Sequence, residues 1–138
     1  MPYLDINIGG PCLPETIARF GTRMTELAAD ILHKQRELTA VAVHCVPPGH
    51  WYVGGAALAE QGRTSFFLEA NVTAGTNTKE EKAAFVAAAF AAAESILGRL
   101  DAASYVIVRD VAADAWGYQG LTQEYRRLHR PPAGGETP

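Results

Sequence analysis

The chain has 138 residues, 48% of them hydrophobic and 20% charged, with a formal net charge of −3. That length suits one domain, the apolar fraction supports a core, and the acidic balance argues against a general nucleic-acid surface. The longest apolar stretch, around Ala83–Ala93, is too short for a membrane span, and residues 1–10 lack a basic leader. A cytoplasmic protein with neither nucleic-acid nor membrane partner is therefore expected. Cys12 and Cys45 are read as neither a disulfide framework nor a metal site, and no CxxC, HExxH or EF-hand spacing occurs. The basic run Arg126, Arg127, His129 and Arg130 reads as a solvated helix face.

In chain order, Pro2–Ile8 alternates, with Leu4, Ile6 and Ile8 on one face and Tyr3, Asp5 and Asn7 on the other. Period two predicts a half-buried strand, which Pro2 can open because it has no ladder donor to give. Gly9-Gly10-Pro11 breaks the chain and Pro14 suits a first helical turn. Ile17, Phe20, Met24, Leu27, Ile31 and Leu32 then recur at helical spacing as one apolar stripe. Thr39–Val46 alternates again, with Val41, Val43 and Cys45 on one face. After a joint over Ala56–Thr64, Phe66–Thr73 reads as a strand. Thr78-Lys79-Glu80-Glu81 is a capping box that opens an alanine-rich helix, and Gly98 closes it. Ser104–Val111 is the last main strand, and residues 131–138 read as a flexible tail.

The two halves are copies. Pro2–Ile8 lies over Phe66–Val72, Val41 and Val43 over Val106 and Val108, and Trp51 and Gly55 over Trp116 and Gly120. Repeats of about 2–55 and 66–120, each strand–helix–strand, predict two tandem βαβ units within one domain. The fold class is α/β, an α+β sandwich. Its four-stranded mixed sheet carries both helices on one face, with short hairpin strands besides. The other face shows Tyr3, Asp5, Asn7, Phe67, Glu69 and Asn71, a mixed polar and aromatic set suited to solvent or to other subunits.

A proline at position two, the βαβ repeat, and the segments Gly49-His50-Trp51-Tyr52-Val53-Gly54-Gly55 and Trp116-Gly117-Tyr118-Gln119-Gly120 together resemble the tautomerase superfamily over roughly residues 2–122. With its two βαβ units the chain looks like a long member of the 4-oxalocrotonate tautomerase and cis-3-chloroacrylic acid dehalogenase kind. The resemblance implies a homotrimer and a catalytic Pro2, whose secondary amine is freed when Met1 is removed. Desolvation and a nearby cation would lower the amine pKa, making it a base at neutral pH. The implied reaction is proton transfer between carbons, or between keto and enol forms, of a 2-keto acid. No cofactor or metal is called for, because the substrate carbonyl delocalises the charge.

Trp51 and Trp116 fall where the family has aromatic walls, which suit a phenylpyruvate-like substrate. The strand arginine of short members falls on Ala42 and Tyr105, and the arginine pair of the dehalogenases falls near Thr73 and Thr76. These departures leave Arg109, the repeat partner of His44, as the expected carboxylate fork, with Asp110 as its competing partner. His50, Asn71 and Thr73 are candidate hydrogen-bonding groups for the small-molecule carbonyl or carboxylate substrate. Two alternatives stand beside the tautomerase. One is a Pro2-dependent hydratase, dehalogenase or decarboxylase of small unsaturated or oxo acids; the other is a non-catalytic trimeric binding protein.

Overall fold

The computed structural model describes residues 2–129. Met1 and the tail expected over 131–138 lie outside the described residues. Strand β1 (Tyr3–Gly9) leads into helix α1 (Pro14–Asp30) and strand β2 (Ala40–Val46). A hairpin of β3 (Tyr52–Val53) and β4 (Ala56–Ala57) and a single turn α2 (Leu58–Gln61) complete the first copy. The second copy repeats the series: β5 (Ser65–Thr73), α3 (Lys79–Leu97), β6 (Tyr105–Val111), the hairpin β7 (Gly117–Tyr118) and β8 (Leu121–Thr122), and α4 (Gln123–Leu128).

The main sheet runs β2-β1-β5-β6. Within each copy the strands are parallel, as a helical crossover requires. The copies meet at an antiparallel seam, β1 against β5, running from Tyr3↔Asn71 to Gly9↔Ser65. The sheet is therefore mixed, as expected. Alternation along β1 and β5 sends Leu4, Ile6, Ile8, Phe66, Leu68, Ala70 and Val72 beneath the helices, and all are fully buried. Phe20 of α1 and Phe90 of α3 tilt against Phe66 with ring centroids 6.5 and 6.2 Å away. Burying one such side chain contributes about 1.5–3 kcal/mol. In α3 the side turned to the core is Phe85, Ala89, Ala92 and Ala93, small enough for the helix to lie close on the sheet. Both halves of its capping box form: Glu81 N–H donates to Thr78 Oγ1 at 3.1 Å, and Thr78 N–H to Glu81 Oε1 at 2.7 Å.

Against the expectation from the sequence, Cys12 and Cys45 are joined as a disulfide, Cα–Cα 6.0 Å. A count of two supports no framework, but register makes a single bond possible. Ile8 is the neighbour of Cys45 across the β1–β2 ladder, and the turn after Gly9 carries Cys12 back over that strand end. On the opposite face, His44 Nε2 lies 3.0 Å from Asp5 Oδ1 and Arg109 Nη2 donates to Glu69 Oε1 at 2.7 Å. Exposed Tyr3, Tyr105 and Ile107 share that face. Among the described residues no helix is long and apolar enough to cross a membrane.

Candidate active site

Pro2 directly precedes β1 and is buried. Its carbonyl accepts from Ala40 N–H at 3.3 Å. Because β5 is antiparallel to β1, the end of β5 lies beside Pro2, as do the start of β2 and the end of β6. The C-terminus of α1 and the N-terminus of α3 come to this same end of the sheet. The N-terminal turn of a helix carries partial positive charge.

Two of the expected residues are next to this end. Asn71 Nδ2 donates to Tyr3 O at 3.2 Å. Thr73 is buried, and its Oγ1 has no hydrogen-bond partner. A buried cation found here is one that motif spacing does not reveal, Lys34, which is only 5% exposed. Helix α1 ends at Asp30, His33 takes a left-handed turn at φ 59°, and Lys34 N–H bonds back to Ala28 O at 3.1 Å. That turn tucks the lysine stem under the helix. Lys34 Nζ donates to Thr76 Oγ1 at 2.8 Å, and Thr76 Oγ1 donates to Thr73 O at 2.6 Å. Burial holds the Lys34 ammonium below its ordinary pKa of 10.5, while the charges of Glu81 and Asp110 act the other way. Glu81 is tied to His33 Nε2 at 3.1 Å and to Asn77, and Asp110 is paired with Lys82. Both carboxylates are thus engaged elsewhere, and Lys34 makes one short hydrogen bond to a neutral hydroxyl.

Of the other expected residues, Arg109, the register partner of Asn71, and Trp116, which follows the end of β6, belong to the same end of the sheet, whereas Trp51 and His50 do not. Arg109 is on the sheet face away from the helices, its fork engaged by Glu69. Asp110 does not compete for it, because neighbouring strand residues point to opposite faces. Trp51 and His50 follow β2, at the far end of β1 from Pro2. There Trp51 packs so closely on Gly9 that a Cβ would come within 2.6 Å of Cε3. Trp116 precedes the hairpin that leaves the sheet from the Pro2 end, and its indole Nε1 is buried without a partner. Beside it lies a cleft of about 270 Å³, lined by Asp114, Gly117 and Leu121 among others. Both two-residue hairpins form ribbons of their own, apart from the main sheet. Among the described residues no group of three potential metal ligands is present.

The described geometry has close counterparts. A fused 4-OT in its native form is 24% identical, covering 89% of this chain and 97% of its own, with a TM-score of 0.81. A fused 4-OT solved as a symmetric trimer is 19% identical, covering 88% and 96%, with a TM-score of 0.78. The macrophage migration inhibitory factor of Toxoplasma gondii is 18% identical, covering 87% and 98%, with a TM-score of 0.71. No curated protein sequence matches significantly. At these identities the likeness establishes the fold of two βαβ units. The model of the family described as Tautomerase enzyme matches residues 2–61 and 67–125, nearly all of the chain. The chain belongs to the tautomerase family.

Proposed function

We propose that the chain is a cofactor-independent tautomerase of small 2-keto acids, with the secondary amine of Pro2 as general base once Met1 is removed. The observation that carries this reading is the buried Lys34 at the Pro2 end of the sheet. A desolvated ammonium there is suited to two tasks. It can hold a substrate carboxylate, and its charge disfavours protonation of a neighbouring amine, leaving Pro2 neutral at physiological pH. The amine then takes a proton from the carbon next to the keto group, and the electron pair moves onto the carbonyl oxygen as an enolate forms. Thr73 and Asn71 are the candidate donors to that oxygen. The protonated amine returns the proton to the other terminus of the conjugated system.

Lys34 is favoured over Arg109 as the carboxylate partner because it is buried and bonded only to a neutral hydroxyl, while Arg109 sits on the exposed sheet face. A homotrimer fits the open edges of β2 and β6, the exposed Tyr3 and Tyr105, and the trimeric fused 4-OT relatives. A related fold was solved after inactivation by 2-oxo-3-pentynoate, itself a small 2-keto acid. That favours a tautomerase of 2-keto acids over the binding-protein alternative.

The test is phenylpyruvate ketonisation by the native chain, by a form with an N-terminal extension, and by Lys34→Met and Arg109→Ala. Blocking the amine should lower kcat by about 10²–10⁴-fold. Lys34→Met should raise KM about tenfold or more, the loss of one charged contact, and Arg109→Ala should change it little. Full activity with the extension in place would defeat the reading of Pro2. A larger KM effect from Arg109→Ala than from Lys34→Met would return the carboxylate to Arg109.

A further inference from the structure

The duplication has a second outcome at the opposite end of the sheet. There β5 and β6 start and α3 ends, just as β1 and β2 start and α1 ends beside Pro2. Arg99 holds the place before β6 (Tyr105–Val111) that Lys34 holds before β2 (Ala40–Val46). Phe66 stands in Pro2's place, in mid-chain and fully buried, so this end has no amine to act as a base. Between Arg63 and Arg99 opens a cleft of about 510 Å³, bordered also by Thr64, Leu100, Asp101 and Ala102. Arg63 Nη1 bonds to Asp101 Oδ2 at 2.8 Å, and the Asp101 side chain is only 5% exposed. Asp101 is itself fixed on both sides: Ala103 N–H donates to its Oδ1 at 2.8 Å, and its own N–H donates to Thr64 O at 2.8 Å. One buried carboxylate thus holds one arm of the Arg63 fork, and Arg99 has no ion-pair partner among the described residues.

We propose that this cleft is a second, non-catalytic binding site for a small oxyanion, a carboxylate or a phosphate, gripped by Arg63 and Arg99. Guanidinium groups match the paired oxygens of both anions, and the Asp101 clamp reduces the ordering that binding would require of Arg63. The two guanidiniums outweigh the single carboxylate, so an incoming anion finds net positive charge. Nothing in this proposal depends on Pro2 being a base.

The experiment titrates the full chain with inorganic phosphate and, separately, with pyruvate, against sodium chloride of matched ionic strength. The readout is the backbone amide resonances of residues 62–64 and 99–103. Saturable shifts are expected in the wild type, in Lys34→Met and in an N-terminally extended form. Failure of the catalytic reading would therefore leave this result untouched. Arg99→Ala should weaken binding about tenfold or more, with part restored in Arg99→Lys. Whichever of phosphate and pyruvate binds more tightly names the anion class. Shifts no greater than those caused by chloride, or equal affinity in Arg99→Ala, would overturn the proposal.

Discussion

Removing the Cys12–Cys45 bond should lower stability mainly through the unfolded chain. Cys45 is exposed and Cys12 half-buried, so replacing both by serine removes little packing. The bond closes a loop with a sequence separation of 33. Loop-closure entropy for that length gives about 3.5–4 kcal/mol at 25 °C. For a domain of this size, that converts to a fall in Tm of roughly 10–15 °C. The assay is thermal unfolding followed by circular dichroism at one fixed protein concentration, since any subunit association also moves Tm. Wild type with and without a phosphine reductant is compared with Cys12→Ser/Cys45→Ser. The reductant should bring the wild type to the melting point of the double variant and leave the variant unchanged. Two effects would refute the reasoning: both thiols of the unreduced protein reacting with iodoacetamide, or a double variant melting within about 2 °C of the oxidised wild type.

Two further outcomes follow from the fold. Gly9→Ala would set a methyl against Trp51 and Leu58, which must move aside, so a loss of about 1–3 kcal/mol is expected in chemical denaturation together with a change in Trp51 fluorescence. An unchanged midpoint would show that the β3–β4 hairpin yields without cost. Backbone and side-chain donors hold the Glu81 and Asp101 carboxyls below their ordinary values, Glu81 through Thr78 N–H and Asp101 through Ala103 N–H first. Their contribution to stability is complete above the ordinary carboxylate range and is lost as pH falls through the lowered values. Lys34 has the opposite charge type but the same slope. Its pKa is lowered, so the unfolded chain binds the extra proton and stability rises with pH in the window below 10.5. Tm measured across that range should therefore climb on leaving the acid side and again towards alkaline pH. The second climb should be missing in Lys34→Met.

The architecture was legible because its signals are local. Period two in Pro2–Ile8 and Phe66–Val72, the breaks at Gly9-Gly10-Pro11, and the capping box at Thr78–Glu81 each follow from a few neighbouring residues. Their recurrence disclosed the duplication and hence the four-stranded sheet. The site was less legible because its parts meet only through the fold. Lys34 has no motif around it. Its burial comes from a left-handed residue, His33, and from Thr76 on another element. One signal was available: the copies carry a basic residue at the same place, Lys34 in the first and Arg99 in the second. Arg109 stands out in the sequence as a cation on the last strand, but its partner is set by sheet register. Asn71 lies beside Arg109, and Glu69, the preceding residue on that face, reaches the fork. The disulfide is not legible in the sequence because the meeting of Cys12 and Cys45 depends on where the turn after β1 returns, which composition does not encode.

The seam between β1 and β5 gives the molecule the character of two half-chains joined by a tether. The disulfide lies wholly within the first half, and the peptide between Leu58 and Ser65 is the covalent link from one half to the other. A single cut there would leave two fragments held by the Tyr3–Gly9 ladder and the shared apolar layer beneath both helices. Each fragment would expose half of that layer if it were alone. The pair would behave as an obligate heterodimer, with the amine confined to one partner and Arg63 and Arg99 divided between fragments only if the cut fell after Arg63. The position of the cut would thus decide whether the oxyanion cleft is rebuilt from one fragment or from two.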